Sequence, residues 1–121
     1  MALFAKVSLG QKDSVDVFIV TETGAQFPGG LVAQTKFISD NFIYPTIAKE
    51  NGIVGTCYVS FEIDTIGHIN KIKIVKGVPN CPECDEEAKR LISIMPNWIP
   101  AILNKRPQVC RINYPVKFIM K

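Results

Sequence analysis

Cys81-Pro82-Glu83-Cys84 is the segment of this chain with the most obvious capacity for chemistry. It falls between a β-rich run and a predicted helix, where a helix N-terminus stabilises a thiolate and lowers a thiol pKa. Glu86 and Glu87 set negative charge beside the same sulfurs and oppose that ionisation. Cys81 and Cys84 are therefore expected as a structural disulfide or a free pair ahead of a redox centre. Four cysteines would also suffice for a tetrahedral zinc site. Cys57 and Cys110, however, are expected at opposite ends of neighbouring strands, roughly 20 Å apart at the usual rise per residue. That distance excludes a bridge between them and breaks a four-thiolate site, although Cys110 is expected within reach of the Cys81–Cys84 loop. His68 stands alone at a hairpin turn and reads as a surface residue. No metal or cofactor is implied, and cysteine count alone leaves the redox compartment open.

A second kind of chemistry belongs to the backbone. The alternating run Cys110, Ile112, Tyr114, Val116, Phe118 and Met120, interleaved with Arg111, Asn113 and Lys117, predicts a long last strand. Pro115 within it lacks an N–H to donate and is tolerated mainly at a sheet edge or a bulge. An edge strand exposes unpaired N–H and C=O groups that accept an extended peptide as an added strand.

The elements that must position these groups follow from periodicity. Val15 to Val20 is a short β-branched and aromatic run, and Phe27-Pro28-Gly29-Gly30 then breaks the chain. Leu31, Thr35, Ile38 and Phe42 lie on one helical stripe, predicting a helix to about Asn41. Pro45 fits the first position of a second, short helix, stopped by Asn51-Gly52. From Gly55 the period becomes two, with Cys57, Val59, Phe61 and Ile63 inward. Asp64-Thr65-Ile66-Gly67 is turn chemistry, and Ile69 to Val75 returns as a hairpin arm. Asp85 is expected to cap a helix whose stripe is Ala88, Leu91, Ile92 and Met95, with Pro96 as its stop. The fold class is α+β: a three-stranded antiparallel sheet in the order 2-1-3, with helices packed on one face and room for one extra N-terminal strand. The helices should cover Val59, Phe61, Ile112 and Phe118.

The 121 residues, 47% hydrophobic and 21% charged, suit one globular domain with its own core. A net charge of +3 spread over scattered lysines and arginines reads as a solvated surface and argues against nucleic acid as a partner. No apolar run reaches the roughly 18 to 20 residues that span a bilayer, and Met1 to Leu9 is too short and too weakly basic for a secretory signal.

The ordered set Tyr44-Pro45, Gly55 to Asp64-Thr65-Ile66-Gly67, Trp98-Ile99-Pro100-Ala101 and Tyr114-Pro115-Val116-Lys117-Phe118 resembles the C-terminal domain of TonB, the energy transducer of Gram-negative envelopes. The Phe27-Pro28-Gly29-Gly30 segment is similar to the form common in Bacteroidetes-type bacteria. The resemblance covers roughly residues 15–121, a TonB-like domain behind a flexible segment at 1–14. It implies a periplasmic, non-enzymatic domain of an inner-membrane-anchored protein whose anchor is not in this chain. Its partners would be the TonB box and plug of TonB-dependent outer-membrane receptors, with an inner-membrane proton-channel motor engaged through regions absent here. Carried onto this sequence, Arg111, Asn113, Tyr114, Pro115 and Lys117 would line or flank the capturing strand, with Tyr44 and Pro45 in a receptor-contact region. Tyr44 has an equally direct structural role as a ring stapled to the core before a helix-opening proline. Exposed edges would also let two copies pair as a homodimer.

Two other readings stand beside it. Cys-Pro-x-Cys is similar to glutaredoxin, and Asn113-Tyr114-Pro115 imitates the cis-proline segment of thioredoxin-like oxidoreductases. Only six residues follow Pro115, too few for the strand and helix that fold still requires. The third reading is a TonB-like appendage of a membrane sensor or peptidase.

Overall fold

In chain order the elements are β1 (Phe4–Val7), β2 (Val17–Val20), α1 (Gly30–Asn41), α2 (Thr46–Glu50), β3 (Gly55–Ile63), β4 (Ile69–Lys76), α3 (Pro82–Ser93), β5 (Ala101–Leu103), β6 (Arg106–Gln108) and β7 (Cys110–Phe118). The structure, a computed structural model, describes residues 4–7, 17–20 and 24–120. Of the N-terminal segment expected to be flexible, only Phe4–Val7 is described, as a strand, and the rest lies outside the described residues.

The main sheet runs β2-β1-β7-β3-β4 with every pairing antiparallel. Its β4-β3-β7 core is the three-stranded arrangement expected from the sequence. The one extra strand expected at the N-terminus is instead a hairpin: β2 occupies part of Val15 to Val20, and β1 inserts between it and β7. β7 is therefore not a free edge along its whole length, because β1 pairs with it at Cys110 and Arg111.

Alternation decides which face of the sheet is buried. Cys57, Val59, Phe61 and Ile63 on β3 are fully enclosed, as is Phe118 on β7, while Ile112 and Val116 are nearly so. Opposite them pack Ala88, Leu91 and Ile92 of α3. Each such aliphatic or aromatic side chain stabilises the fold by about 1.5–3 kcal/mol relative to exposure.

Three local expectations differ. Along α1, Leu31 is 71% exposed and Thr35 is exposed, whereas Ala33, Phe37 and Ile38 face the core. The Phe27 ring, 5.6 Å from that of Phe37, sets this rotation, a contact that periodicity alone does not contain. α3 begins at Pro82 with Cys81 as its N-cap, whose Sγ accepts the Cys84 N–H at 3.1 Å. Asp85 is inside the helix, and its Oδ1 instead accepts the Val78 N–H at 2.9 Å, closing the loop from β4. Pro45 is the N-cap of α2, one position before its first turn. The β5–β6 hairpin was not anticipated; its turn puts Asn104 and Lys105 at φ 53° and 64°, the left-handed pair of a tight hairpin without the usual glycine.

Two clamps replace secondary structure where the chain is irregular. In the β3–β4 turn, Asp64 Oδ1 accepts the N–H groups of Ile66, Gly67 and His68 at 2.9, 2.9 and 2.8 Å. These bonds, the one from His68 foremost, hold the Asp64 carboxyl below its ordinary pKa. Gly67 has φ 105°, and its carbonyl accepts the Trp98 N–H at 2.8 Å. Gln26 and Ile99 exchange both backbone hydrogen bonds, at 2.9 and 2.7 Å, and Phe27 meets the Trp98 indole edge-on at 5.9 Å. The second clamp joins helices. Buried Glu87 accepts Ile43 N–H at 2.7 Å and both Nε and Nη2 of Arg90, at 2.6 and 2.8 Å, while Arg90 Nη2 also donates to Asn41 O at 2.6 Å.

A Cβ added at Gly67 would sit 2.0 Å from the Trp98 carbonyl oxygen, on a backbone that L-residues rarely adopt. Gly67→Ala is expected to cost roughly 2–4 kcal/mol, visible as a lowered urea midpoint. A midpoint unchanged from the parent protein would refute the role given to this turn.

Candidate functional site

The pairing of β7 with β3 runs from Gly55↔Phe118 to Ile63↔Cys110. Directly opposed residues of an antiparallel pair share a face. Arg111, Asn113, Pro115 and Lys117 therefore lie with Glu62, Ser60, Tyr58 and Thr56 on the face away from the helices. Tyr114 pairs with buried Val59 and points inward, half-buried. Burial pushes its phenol pKa up, partly offset by a hydrogen bond with the Gln34 side chain of α1.

On its other side β7 meets only β1, whose register covers Cys110 and Arg111. From Ile112 to Phe118 no strand pairs with the outer edge of β7 among the described residues, while β1 runs on from Lys6 through Ala5 and Phe4 in the direction of Ile112 and Asn113. Pro115 orients that edge. A proline in a ladder is tolerated where its missing N–H would face the unpaired side. Residues alternate in which side their N–H and C=O serve, so Asn113 and Lys117 share the outward parity of Pro115.

Electrostatics on this face are one-sided. Glu62, 6% exposed, is held by Arg111 Nη2 at 3.3 Å and by Lys71 Nζ at 3.2 Å. Lys71 reaches it through a register shift in β4 between the partners of Ser60 and Glu62, where its φ is 54°. Lys117 is exposed and in no ion pair among the described residues.

The other residues singled out in the sequence are elsewhere. The Tyr44 ring stands edge-on to Phe42 and Phe118 at 5.9 and 5.7 Å, and its hydroxyl donates to Ile53 O. Its side chain braces the inner face at the end of β7. Pro45 borders an open groove of about 530 Å³ lined also by Ile43, Pro82, Glu83, Glu86, Glu87 and Arg90. Sequence reasoning read Glu87 only as a charge near the thiols and passed over its pairing with Arg90, and over Gln34; the Glu87–Arg90 spacing of three on a helix was the available signal for that pair.

Cys81 and Cys84 are joined, Sγ to Sγ at 2.11 Å, and are 1% and 0% exposed. Thiol exchange needs a sulfur open to attack, and neither is. Cys57 and Cys110 are free, buried and at opposite ends of the β3–β7 ladder. The thiol beside the α3 N-terminal region is Cys57, against Asp85, whereas Cys110 meets the Ala25 backbone. The expected approach of Cys110 to the Cys81–Cys84 loop is thus corrected, because β4 leads into that loop from the Cys57 end of the sheet. No group of three or more His, Cys, Asp or Glu suited to a metal occurs among the described residues.

The family described as Gram-negative bacterial TonB protein C-terminal matches residues 40–120. The chain belongs to this family. TonB C-terminal domains are non-enzymatic, periplasmic interaction domains. The NMR solution structure of the Helicobacter pylori TonB C-terminal domain has the same fold, with a TM-score of 0.55 and 24% identity over 75% of this chain and 80% of that one. No curated protein matches the chain. The Phe27-Pro28-Gly29-Gly30 segment falls outside the family match, and its role here is structural: Phe27 is core, and the Gly30 N–H returns to Phe27 O at 2.8 Å.

Burial, and then the adjacent Asp85 carboxylate, push the Cys57 thiol up to about 12. The unfolded chain releases this proton near the ordinary thiol pKa of about 8.5, so the native state binds more protons above that pH. Stability is expected intact below about pH 8.5 and lost progressively as pH rises towards 12. Cys57→Ala should flatten that decline in urea midpoints measured from pH 8 to 11, on the plateau left by the other titrating groups. An equally steep decline in the variant would remove Cys57 as its source.

Proposed function

We propose that this domain docks an extended segment of a TonB-dependent outer-membrane receptor, its TonB box, as an added strand on β7. Pull is then passed through the docked strand to the receptor plug, powering energy-coupled uptake. Membership of the TonB C-terminal family supports the class of partner. The observation that carries the mode of binding is the outer edge of β7 beyond Arg111, with which no strand pairs among the described residues, while β1 itself runs on through Ala5 and Phe4 in the direction of Ile112 and Asn113. Asn113, Pro115 and Lys117 offer their backbone groups to the newcomer, and Tyr114 anchors the strand from within. Tyr44 and Pro45 contribute by bracing Phe118 and the start of α2 rather than through the ladder.

A hydrogen-bonded ladder suits a mechanical task. Load along the strand direction must break several bonds together rather than one at a time. Force would enter from an inner-membrane, proton-driven motor through protein segments outside this sequence. The β1–β2 hairpin pairs with β7 at its first two residues, so chain preceding the core lies beside the docking edge.

The test is a backbone-amide NMR titration with TonB-box peptides from receptors of the source organism. Shifts are expected on Ile112, Asn113, Tyr114, Val116, Lys117 and Phe118. Asn113→Pro, which removes an outward donor, is expected to weaken binding at least tenfold while leaving the dispersed spectrum of the core intact. If β7 amides stay unmoved across the whole peptide set, strand addition to a receptor is not the function. A domain serving as an appendage of a membrane sensor or peptidase would behave in that way.

A further inference from the structure

We propose that the face of the main sheet turned away from the helices is a docking surface for an anionic lipid bilayer, independent of the strand-docking reading above. Cations that are scattered along the sequence meet on this face. Directly opposed residues of antiparallel strands share a face, so Lys73 and Lys76 of β4 lie with Ser60 and Tyr58 of β3, and these lie with Asn113 and Pro115 of β7. Lys117 follows at one end, opposite Thr56, while Lys71 and Arg111 close the other end at Glu62. Three strands at the usual spacing, over the rise from Thr56 to Glu62, make a plate of roughly 10 by 20 Å.

The charge of this plate is one-sided. Lys71, Lys73, Lys76, Arg111 and Lys117 stand against the single carboxylate of Glu62, which makes the plate more positive than the +3 of the whole chain. Glu62 is buried and engaged by Lys71 and Arg111. Lys73, Lys76 and Lys117 are exposed and in no ion pair among the described residues. On the helix side of the molecule the exposed Glu83 and Glu86 of α3 carry the opposite sign. An anionic plane therefore attracts the sheet and repels the helix layer, and that polarity sets the orientation of approach.

What lies between the charges suits a bilayer. Tyr58, 41% exposed, stands among the lysines, and Val75, 58% exposed, sits at the neighbouring register shift of β4. A tyrosine fits the headgroup level, where its ring meets apolar chains and its hydroxyl meets water. Lysine stems lie along apolar surface while their ammonium groups reach the phosphates. Near an anionic membrane each such cation strengthens binding about fivefold.

Vesicle co-sedimentation of the whole chain tests this, with bilayers of phosphatidylcholine alone or mixed with phosphatidylglycerol. The mixed vesicles should carry the protein down, the neutral ones should not, and added salt should release it. Lys73→Gln with Lys76→Gln should weaken binding about 25-fold, at about fivefold per charge. Lys36→Gln with Lys49→Gln makes the same change in net charge at exposed positions on α1 and α2. It should weaken binding less than about threefold. Amide dispersion checks that both double variants remain folded. Equal losses in the two would mean that net charge alone drives the attraction, and would overturn the assignment to this face. Absence of binding to the mixed vesicles, or equal binding to both kinds, would overturn the proposal itself. Displacement from the vesicles by soluble polyglutamate at matched charge would put an acidic polypeptide in place of the bilayer.

Discussion

Everything in this domain depends on the register between β3 and β7. Because side chains alternate with a period of two, slipping β7 by one residue against β3 would turn Ile112, Val116 and Phe118 out to solvent and bring Arg111 and Lys117 inward. The cost of such a slip is the burial of several large apolar side chains at once, so the register is strongly specified. The same register puts Cys57 and Cys110, both free and buried, at opposite ends of the ladder, too far apart to bridge. It also sets the parity by which Pro115 points its missing donor at the open edge.

Around this ladder, irregular segments are held by backbone contacts that leave little room for substitution. The Asp64 turn is braced by three N–H bonds to one carboxylate oxygen, and Gly67 lies so close to Trp98 that no side chain fits between them. Trp98 is gripped on both sides, by Gly67 and by Phe27, with Gln26 bonded to the neighbouring Ile99. The most recognisable sequence segments of the chain are thus structural joints. The Glu87–Arg90 pair does the same for the α1–α2 connection, satisfying groups that a loop between helices would otherwise leave buried and unpaired.

An edge proposed to receive a partner strand is also a hazard, since an unpaired edge accepts strands without discrimination. Here β7 is shortened by β1 at one end, interrupted by a proline and flanked by lysine. Those features leave β7 only partly unpaired among the described residues and place charge beside it.

The sequence by itself determined the three core strands, their order, the inward residues of β3, β7 and α3, and the family. Strict alternation and a proline's lost donor are local properties and survive in one dimension. It also placed Arg111, Asn113, Tyr114, Pro115 and Lys117 on one strand. Only tertiary structure decided the rest. α1 turns on an aromatic contact with Phe27, so Leu31 and Thr35, apparent core by spacing, are exposed. The cap of α3 moved from Asp85 to Cys81 because the carboxylate serves a loop N–H across the chain. The length of β7 that β1 pairs was likewise decided in three dimensions. That pairing joins residues about a hundred positions apart, and long-range pairing of short strands leaves no periodic mark on the sequence that forms it.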